Sequence, residues 1–208
     1  SAFLDVVLMS ESTATFTAEM LRQALDLVRR SRGLGRALPV SVNVSMRALG
    51  GSAFASSVEA LLEEAGVDAG LLTLEITETD VAEPNAEMLA TLDRLAAGGV
   101  RISVDDFGIG YSSLARLQAV CVHELKIDRA FVTQLDANTR DRHVAATIVE
   151  LANRLGYRVV AEGVETEAQA QALSDIGCHI AQGYLFSPAR PVDDFLDLLA
   201  LAHSPITA

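Results

Sequence analysis

The run VRISVDDFGIGYSS, residues 100–113, decides the fold class, because it joins a strand candidate directly to a polar loop. Its first part, Val100–Asp105, is a short strand candidate, and several of the strand candidates in this chain are nearly continuous apolar runs, as expected for strands covered on both faces. Two adjacent carboxylates, Asp105 and Asp106, follow at its end, and a loop with two glycines and two serines comes next. The run therefore predicts a strand that delivers acidic groups to one edge of a sheet.

Five further strand candidates lie on either side of this run, with amphipathic helical patterns between them. They are Leu38–Val44, Leu71–Thr77, Val122–Ile127, Tyr157–Ala161 and His179–Gly183. The segment Ser1–Gly35 is predicted to be mainly helical, Thr139–Gly156 shows helical spacing of apolar residues, and Thr166-x-x-Gln169 has the spacing of a capping box. Repeated strand–helix units predict a parallel sheet, because parallel neighbours need a crossover connection.

The parallel sheet is either an open doubly wound sheet or a (βα) barrel. No Gly-x-Gly-x-x-Gly motif follows the first strand, which argues against a dinucleotide-binding sheet. A polar residue lies at or near the carboxyl end of each of the six strands, and in a barrel those ends form the rim on which active sites are built. These residues are Asn43, Glu75, Asp105, Lys126, Glu162 and Gln182. We therefore predict an α/β fold with a TIM-type barrel. Such a barrel has eight strands, so we expect an incomplete one that lacks its first two strands.

The composition excludes several classes of protein. Half of the 208 residues are hydrophobic, and the formal net charge of −12 argues against binding a nucleic-acid polymer, which needs clustered Lys and Arg. No apolar run is long enough to span a bilayer, no basic leader is present, and the two cysteines form no disulfide or zinc pattern. We expect a cytoplasmic protein without a membrane segment, with residues 1–208 forming a single domain.

The rim residues indicate a site for divalent cations. Four carboxylates would share one barrel mouth. Carboxylates at such short distances repel one another, so they stay ionised only if a cation balances their charge. The four are Glu75, Asp105, Asp106 and Glu162. Asn43 adds a carbonyl oxygen, and an all-oxygen set suits Mg²⁺, Mn²⁺ or Ca²⁺. The set is large enough for two ions, which can hold a phosphate and activate a water, with Lys126 nearby to orient that water or exchange protons with it. We interpret the site as one for phosphodiester hydrolysis.

Six motifs, in order along nearly the whole chain, resemble those of EAL-domain cyclic di-GMP phosphodiesterases. They are Asn43-Val44-Ser45, Glu75-Ile76-Thr77-Glu78, the run Asp105–Leu114, Lys126-Ile127-Asp128, Ala161-Glu162-Gly163-Val164-Glu165 and Gln182-Gly183-Tyr184. The resemblance implies a modified TIM barrel that hydrolyses cyclic di-GMP to linear pGpG with Mg²⁺ or Mn²⁺, two ions being expected in the intact domain. It also implies a homodimer and regulatory domains upstream.

The resemblance also implies a role for each matching residue. The metal ligands would be Asn43, Glu75, Asp105, Asp106 and Glu162. The catalytic residues would be Lys126, which engages the water, together with Glu162 and Asp105. The residues on the substrate and loop side would be Glu78, Gly108, Gly110, Ser112, Ser113 and Gln182. Among these, Glu78 would steady the loop after Asp106, and Gln182 would lie near the metal and water.

The chain departs from the family pattern in two respects. Ile109 stands where the family usually has Thr, which removes a hydroxyl from the loop. The Glu-Ala-Leu motif, which supplies a metal ligand, does not precede Asn43, so we expect a truncated domain with impaired activity. Two other functions stay open: a module that binds cyclic di-GMP or a protein without catalysis, and an unrelated Mg²⁺-dependent barrel enzyme.

Overall fold

The computed structural model describes residues 12–50, 52–82, 84–109, 114–135 and 139–201. Its centre is a parallel sheet of five strands in the order β1-β2-β3-β4-β5, so every strand pairs with its neighbour in the sequence. The strands are β1 Val40–Asn43, β2 Leu72–Thr77, β3 Arg101–Phe107, β4 Glu124–Ile127 and β5 Arg158–Ala161. The predicted parallel sheet is confirmed for these five segments.

Helices fill the connections, as parallel strands require. They are α1 Ser12–Gly33, α2 Met46–Leu49, α3 Ser52–Ala65, α4 Glu78–Ala82, α5 Ala86–Ala97, α6 Leu114–Leu117, α7 Arg129–Val132, α8 Thr139–Leu155, α9 Glu167–Asp175 and α10 Val192–Leu201. The predicted capping box is present: Thr166 accepts a hydrogen bond from the Gln169 N–H at 3.2 Å, and the Gln169 side chain accepts one from the Thr166 N–H. None of the helices in these described ranges is both long and apolar enough to cross a bilayer.

The two faces of the sheet differ in character, because successive side chains of a strand point to opposite faces. One face is apolar and buried in the core. It carries Leu72, Leu74, Ile76, Ile102, Val104, Leu125 and Ile127. The other face is polar and carries Thr73, Glu75, Arg101, Ser103, Asp105, Glu124 and Lys126. Most of these polar side chains are buried, so β2, β3 and β4 are largely covered on both faces, as the sequence indicates. The polar face is the one that bears the candidate site.

The sixth predicted strand, His179–Gly183, is reduced to a single bridge between Ala161 and Ala181. The Gln182 N–H donates to the Ala161 carbonyl at 2.8 Å, but the ladder ends there. At Gly183 the chain passes so close to Val164 that an added Cβ would lie 2.1 Å from the Val164 carbonyl oxygen. This contact turns the chain away from the strand path, and the pattern of apolar residues does not reveal it.

Candidate metal centre

The end of β3 brings two adjacent carboxylates to one side of the sheet. In a regular strand Asp105 and Asp106 would point to opposite faces. The pairing of β3 with β4 shifts register between Val104 and Phe107, and Asp106 has a φ of 56°, the one positive φ outside glycine in the described residues. A bulge of this kind re-aims a side chain. As a result, carboxylate oxygens of Asp105, Asp106 and Glu162 all lie within 4.8 Å of one another.

Lys126 lies at the centre of the carboxylates. Its Nζ is 2.8 Å from Glu75 Oε2 and 3.2 Å from Asp105 Oδ2, and it also forms an ion pair with Glu162 Oε1. The Lys126 side chain is only 4% exposed. These contacts join residues of β2, β3 and β4 with the residue that follows β5, which is the convergence that the strand-end pattern predicts.

The charge state of Lys126 follows from two opposing effects. Burial lowers the pKa of the ammonium, but the neighbouring carboxylates of Glu75 and Glu162 more than offset it, so the net pKa is raised. Burial also raises the pKa of Glu162, although the Lys126 ammonium opposes this shift. Lys126 is therefore a permanent cation in the site at neutral pH.

Asp128, which was not among the predicted site residues, also belongs to this site. Its side chain accepts a hydrogen bond from the Ala130 N–H at 2.6 Å, which caps the start of α7. Burial raises the pKa of Asp106 to about 6, and a side-chain hydrogen bond with Asp128 adds to that shift. The signal in the sequence is spacing, since Asp128 lies two residues after Lys126 and shares its side of the chain.

Glu124, two residues before Lys126 in the chain, pairs with other residues. Glu124 accepts a hydrogen bond from the Ser103 hydroxyl at 3.1 Å, and its other oxygen lies 3.6 Å from Arg158 Nε. The ammonium instead reaches across the sheet to other strands, and this partner choice depends on the sheet register.

Gln182 contacts the carboxylate cluster from the segment after β5. Its Nε2 donates to Glu162 Oε1 at 2.6 Å. The same oxygen pairs with Lys126, so Glu162 is held from two sides. The structure therefore brings Gln182 to the predicted neighbourhood of the carboxylates.

Asn43 lies at the carboxyl end of β1, paired in register with Glu75 of β2. Asn43 is exposed to solvent, whereas Glu75 is buried. The structure therefore places Asn43 on the same rim as the carboxylates, next to one of them.

Glu78 fixes the start of the loop that follows Asp106. Its Oε2 accepts a hydrogen bond from the Gly108 N–H at 2.9 Å, and Glu78 itself is buried. Phe131 and Ile148 pack against Gly108 so closely that an added Cβ would lie 3.0 Å from each. The other predicted loop residues, Gly110, Ser112 and Ser113, lie outside the described residues.

A cavity of about 520 Å³ adjoins the carboxylate cluster and shares Glu162 and Gln182 with it. Its wall also contains the cation Arg129, the carboxylate Glu165 and the aromatic side chain of Tyr184. Tyr184 is 71% exposed, so its ring is available to a ligand. The centre therefore opens onto a polar and aromatic space large enough for an organic group.

The donor set fits a hard divalent cation. The clustered ligand atoms of Asp105, Asp106 and Glu162 are all carboxylate oxygens, and they come from two separate segments. Oxygen donors suit Mg²⁺, Mn²⁺ and Ca²⁺ better than softer metals. Within the described residues, no other group of three or more His, Cys, Asp or Glu side chains has this spacing.

Comparison with known proteins points to one family. A family model for the EAL domain matches residues 2–189. The cyclic di-GMP phosphodiesterase RocR of Pseudomonas aeruginosa is 38% identical over 179 residues, which are 86% of this chain and 46% of RocR. The chain thus spans less than half the length of that relative.

Solved structures of similar proteins have the same fold as this chain. The complex of the PaMucR phosphodiesterase with c-di-GMP has a TM-score of 0.87 and 33% identity, over 93% of this chain and 79% of that one. The manganese/cy-diGMP complex of Klebsiella pneumoniae BlrP1 has a TM-score of 0.79 and 27% identity, over 88% of this chain and 46% of that one. These likenesses confirm the predicted α/β, TIM-type barrel class.

Proposed function

The chain belongs to the EAL domain family, and from this premise we propose that it hydrolyses cyclic di-GMP to linear pGpG in a reaction that depends on divalent cations. One observation carries the proposal. The carboxylates of Glu75, Asp105 and Glu162 come from separate strands or strand ends and converge on one buried lysine. Buried charges are costly unless they are paired or bind a metal, so a convergence of this kind indicates a functional site.

The relatives support the substrate. RocR is named a cyclic di-GMP phosphodiesterase, and the PaMucR structure is a complex with c-di-GMP. The BlrP1 structure contains manganese together with the same dinucleotide. We take Mg²⁺ or Mn²⁺ as the cofactor of this chain and propose two ions for the intact domain.

The proposed chemistry divides between the cation and the side chains. Asp105, Asp106 and Glu162 would hold the cation, which supplies Lewis acidity and lowers the pKa of a water when bound. Hydrolysis would add the oxygen of a water molecule to one phosphorus and break one P–O bond of the cyclic dinucleotide, with one proton of the water passing to the released ribose oxygen. Lys126 would act toward the water or the phosphate oxygens as a hydrogen-bond donor and positive charge, or would exchange a proton with the water.

The side chains around the cluster would position the dinucleotide. Gln182 holds Glu162 in place through the hydrogen bond at 2.6 Å. Glu78 fixes the backbone at Gly108, two residues after Asp106. The adjoining cavity would take a part of the ligand away from the reacting phosphate, since the exposed ring of Tyr184 offers a face on which a nucleobase can stack.

The test is turnover of cyclic di-GMP with Mg²⁺ or Mn²⁺, measured as the appearance of pGpG. We expect Asp105→Asn and Glu162→Gln to lower the rate about a hundredfold or more, since each removes a charged ligand. Glu150→Gln is the matched control, because Glu150 is an exposed carboxylate that pairs with Arg154 on α8, outside the site. Equal rates for Asp105→Asn and the unchanged protein would refute the assignment.

The same assay is repeated with a longer form that carries a Glu-Ala-Leu segment ahead of residue 1, so that the effect of that segment on turnover is measured directly. Turnover by either form supports the enzyme. Binding of cyclic di-GMP without turnover by both forms would instead favour a sensing module.

A further inference from the structure

Lys126 is the only lysine in the chain. Every other member of its 16 Lys and Arg residues is arginine. The two side chains are not equivalent, since an ammonium is a compact point charge on a flexible stem, whereas a guanidinium is a rigid planar fork. The one position that carries the compact cation is therefore the centre of the carboxylate cluster.

The ammonium of Lys126 has three N–H donors and no acceptor. It faces three carboxylates: Glu75 Oε2 at 2.8 Å, Asp105 Oδ2 at 3.2 Å, and Glu162 Oε1 in the third ion pair. Each donor thus has an acceptor of its own. With 4% exposure, the side chain has almost no contact with bulk water. The ammonium neutralises part of the charge of three acidic groups that would otherwise repel one another.

The carboxylates that bind Lys126 overlap with those that would bind a metal. Asp105 and Glu162 belong both to the ion pairs of Lys126 and to the cluster whose oxygens lie within 4.8 Å of one another. Glu162 Oε1 also accepts from Gln182, so this oxygen already has two donors. A divalent cation in the cluster must therefore share these carboxylates with the ammonium or take them from it.

We propose that the Lys126 ammonium competes with the divalent cation for Glu75, Asp105 and Glu162, so that it holds the three carboxylates together before the cation binds and limits how tightly the cation is held. Lys126 is in this respect a positioning residue in addition to its proposed contact with water. The flexible lysine stem suits this role, because the ammonium can move away as the cation enters. The inference rests on the metal dependence of the proposed function.

The first test measures Mn²⁺ affinity by titration calorimetry at about pH 8, where carboxyl groups bind few protons. Lys126→Met removes the charge and keeps an unbranched side chain, and we expect it to bind Mn²⁺ about tenfold more tightly or better. Arg158→Met is the matched control, since it removes a cation that pairs with Glu124 on the same polar face, and its affinity should not change.

The outcomes separate the inference from the function on which it rests. If the unchanged protein binds no Mn²⁺ or Mg²⁺, both the metal-dependent function and the competition are wrong. If it binds the cation and Lys126→Met binds no more tightly, the competition alone is wrong and the metal centre stands.

A second measurement uses the unchanged protein, so it is valid even if Lys126→Met does not fold. Lysine-specific ¹⁵N labelling gives a single side-chain ammonium signal in the NMR spectrum, because the chain has one lysine. Saturation with Mg²⁺ should shift this signal and speed the exchange of its protons with water as the ion pairs weaken. A signal that stays unchanged at saturation would overturn the proposal.

Discussion

At the scale of single residues, Asp106 combines an unusual backbone with a charge in the site. Its φ of 56° lies in the left-handed region, which costs most residues about 1 kcal/mol but is tolerated by Asp and Asn. The Asp106 N–H donates to Asp105 Oδ1 at 2.9 Å, which helps to hold this turn. The strained backbone at Asp106 therefore places a second carboxylate beside that of Asp105.

Two substitutions at this position separate the backbone from the charge. We expect Asp106→Asn to keep the free energy of unfolding within about 1 kcal/mol of the unchanged protein, since Asn accepts a positive φ, but to weaken Mn²⁺ binding about tenfold or more. Asp106→Ala should weaken binding as much and also destabilise the fold, by about 1 kcal/mol more than Asn does. Urea unfolding and calorimetric titration measure the two effects. Unchanged Mn²⁺ affinity in Asp106→Asn would remove it from the ligand set.

Residue-level prediction from the sequence worked where a strand end decides the position. Glu75, Asp105 and Glu162 were predicted from that rule, and the structure brings them together around Lys126. Asp128 was not assigned to the site, because an Asp before a short helix is an ordinary cap and its contact with Asp106 requires the bulge in β3. The local sequence does not specify how neighbouring strands are aligned, so it does not reveal such a contact.

At the scale of secondary-structure elements, the segment after β5 is fixed by one close backbone contact. The Val164 N–H donates to the Gln182 carbonyl at 3.1 Å, and the Leu185 N–H donates to the Val164 carbonyl at 3.0 Å. Both hydrogen bonds require the backbone at Gly183 to lie directly against the backbone of Val164. A Cβ added at Gly183 would also lie 2.3 Å from the Val164 nitrogen. The placement of Gln182 beside Glu162 depends on this crossing.

Gly183→Ala therefore tests how the element is built. We expect the free energy of unfolding to fall by at least about 2 kcal/mol, because the added methyl meets backbone atoms that cannot rotate away. Gly33→Ala is the control, since nothing lies within 4 Å of its added Cβ and stability should hardly change. The comparison is made by urea unfolding, and equal stability of both variants would contradict the described crossing.

His123 links the start of β4 to β3. Its Nδ1 accepts a hydrogen bond from the Ile102 N–H at 3.1 Å, which requires the neutral ring with its proton on Nε2. Burial lowers the pKa of His123 below its ordinary 6.5, and the charge of Arg101 adds to the effect. The unfolded chain therefore binds this proton more readily than the folded one as the pH falls from above 6.5 toward the folded pKa.

The expected result is a loss of stability on acidification in that window. His123→Asn keeps an acceptor for the Ile102 N–H but cannot take up a proton in this range, so its free energy of unfolding should fall less between neutral and mildly acidic pH. Unfolding curves at matched pH values give the difference. If the two proteins lose stability in parallel, His123 does not contribute.

The strands themselves were largely predictable, because apolar runs bounded by turn residues mark them well. The predicted Leu71–Thr77 and the observed β2, Leu72–Thr77, differ by one residue. The prediction for β3 ended at Asp105, whereas the strand continues to Phe107 through the bulge. β1 and β4 each begin two residues later than predicted. The other differences of more than one residue lie where tertiary contacts, at Asp106 and Gly183, override the local pattern.

At the scale of the whole molecule, the order of the motifs along the chain predicted the family, and the match over residues 2–189 confirms it.

The net charge of −12 is spread over many surface groups, but the polar face of the sheet concentrates acidic side chains around one lysine. An anionic dinucleotide would meet repulsion there unless a cation intervened. The acidic balance and the proposed ligand are compatible only through the metal.

Asp105, Asp106 and Glu162 are proposed to hold a divalent cation together. The most direct test is a crystal of the protein grown or soaked with Mn²⁺, with anomalous diffraction used to locate the metal. We predict an anomalous peak bound by carboxylate oxygens of these three residues and absent in Asp105→Asn. An ordered site without a peak at saturating Mn²⁺, or a peak held by other residues alone, would contradict the account.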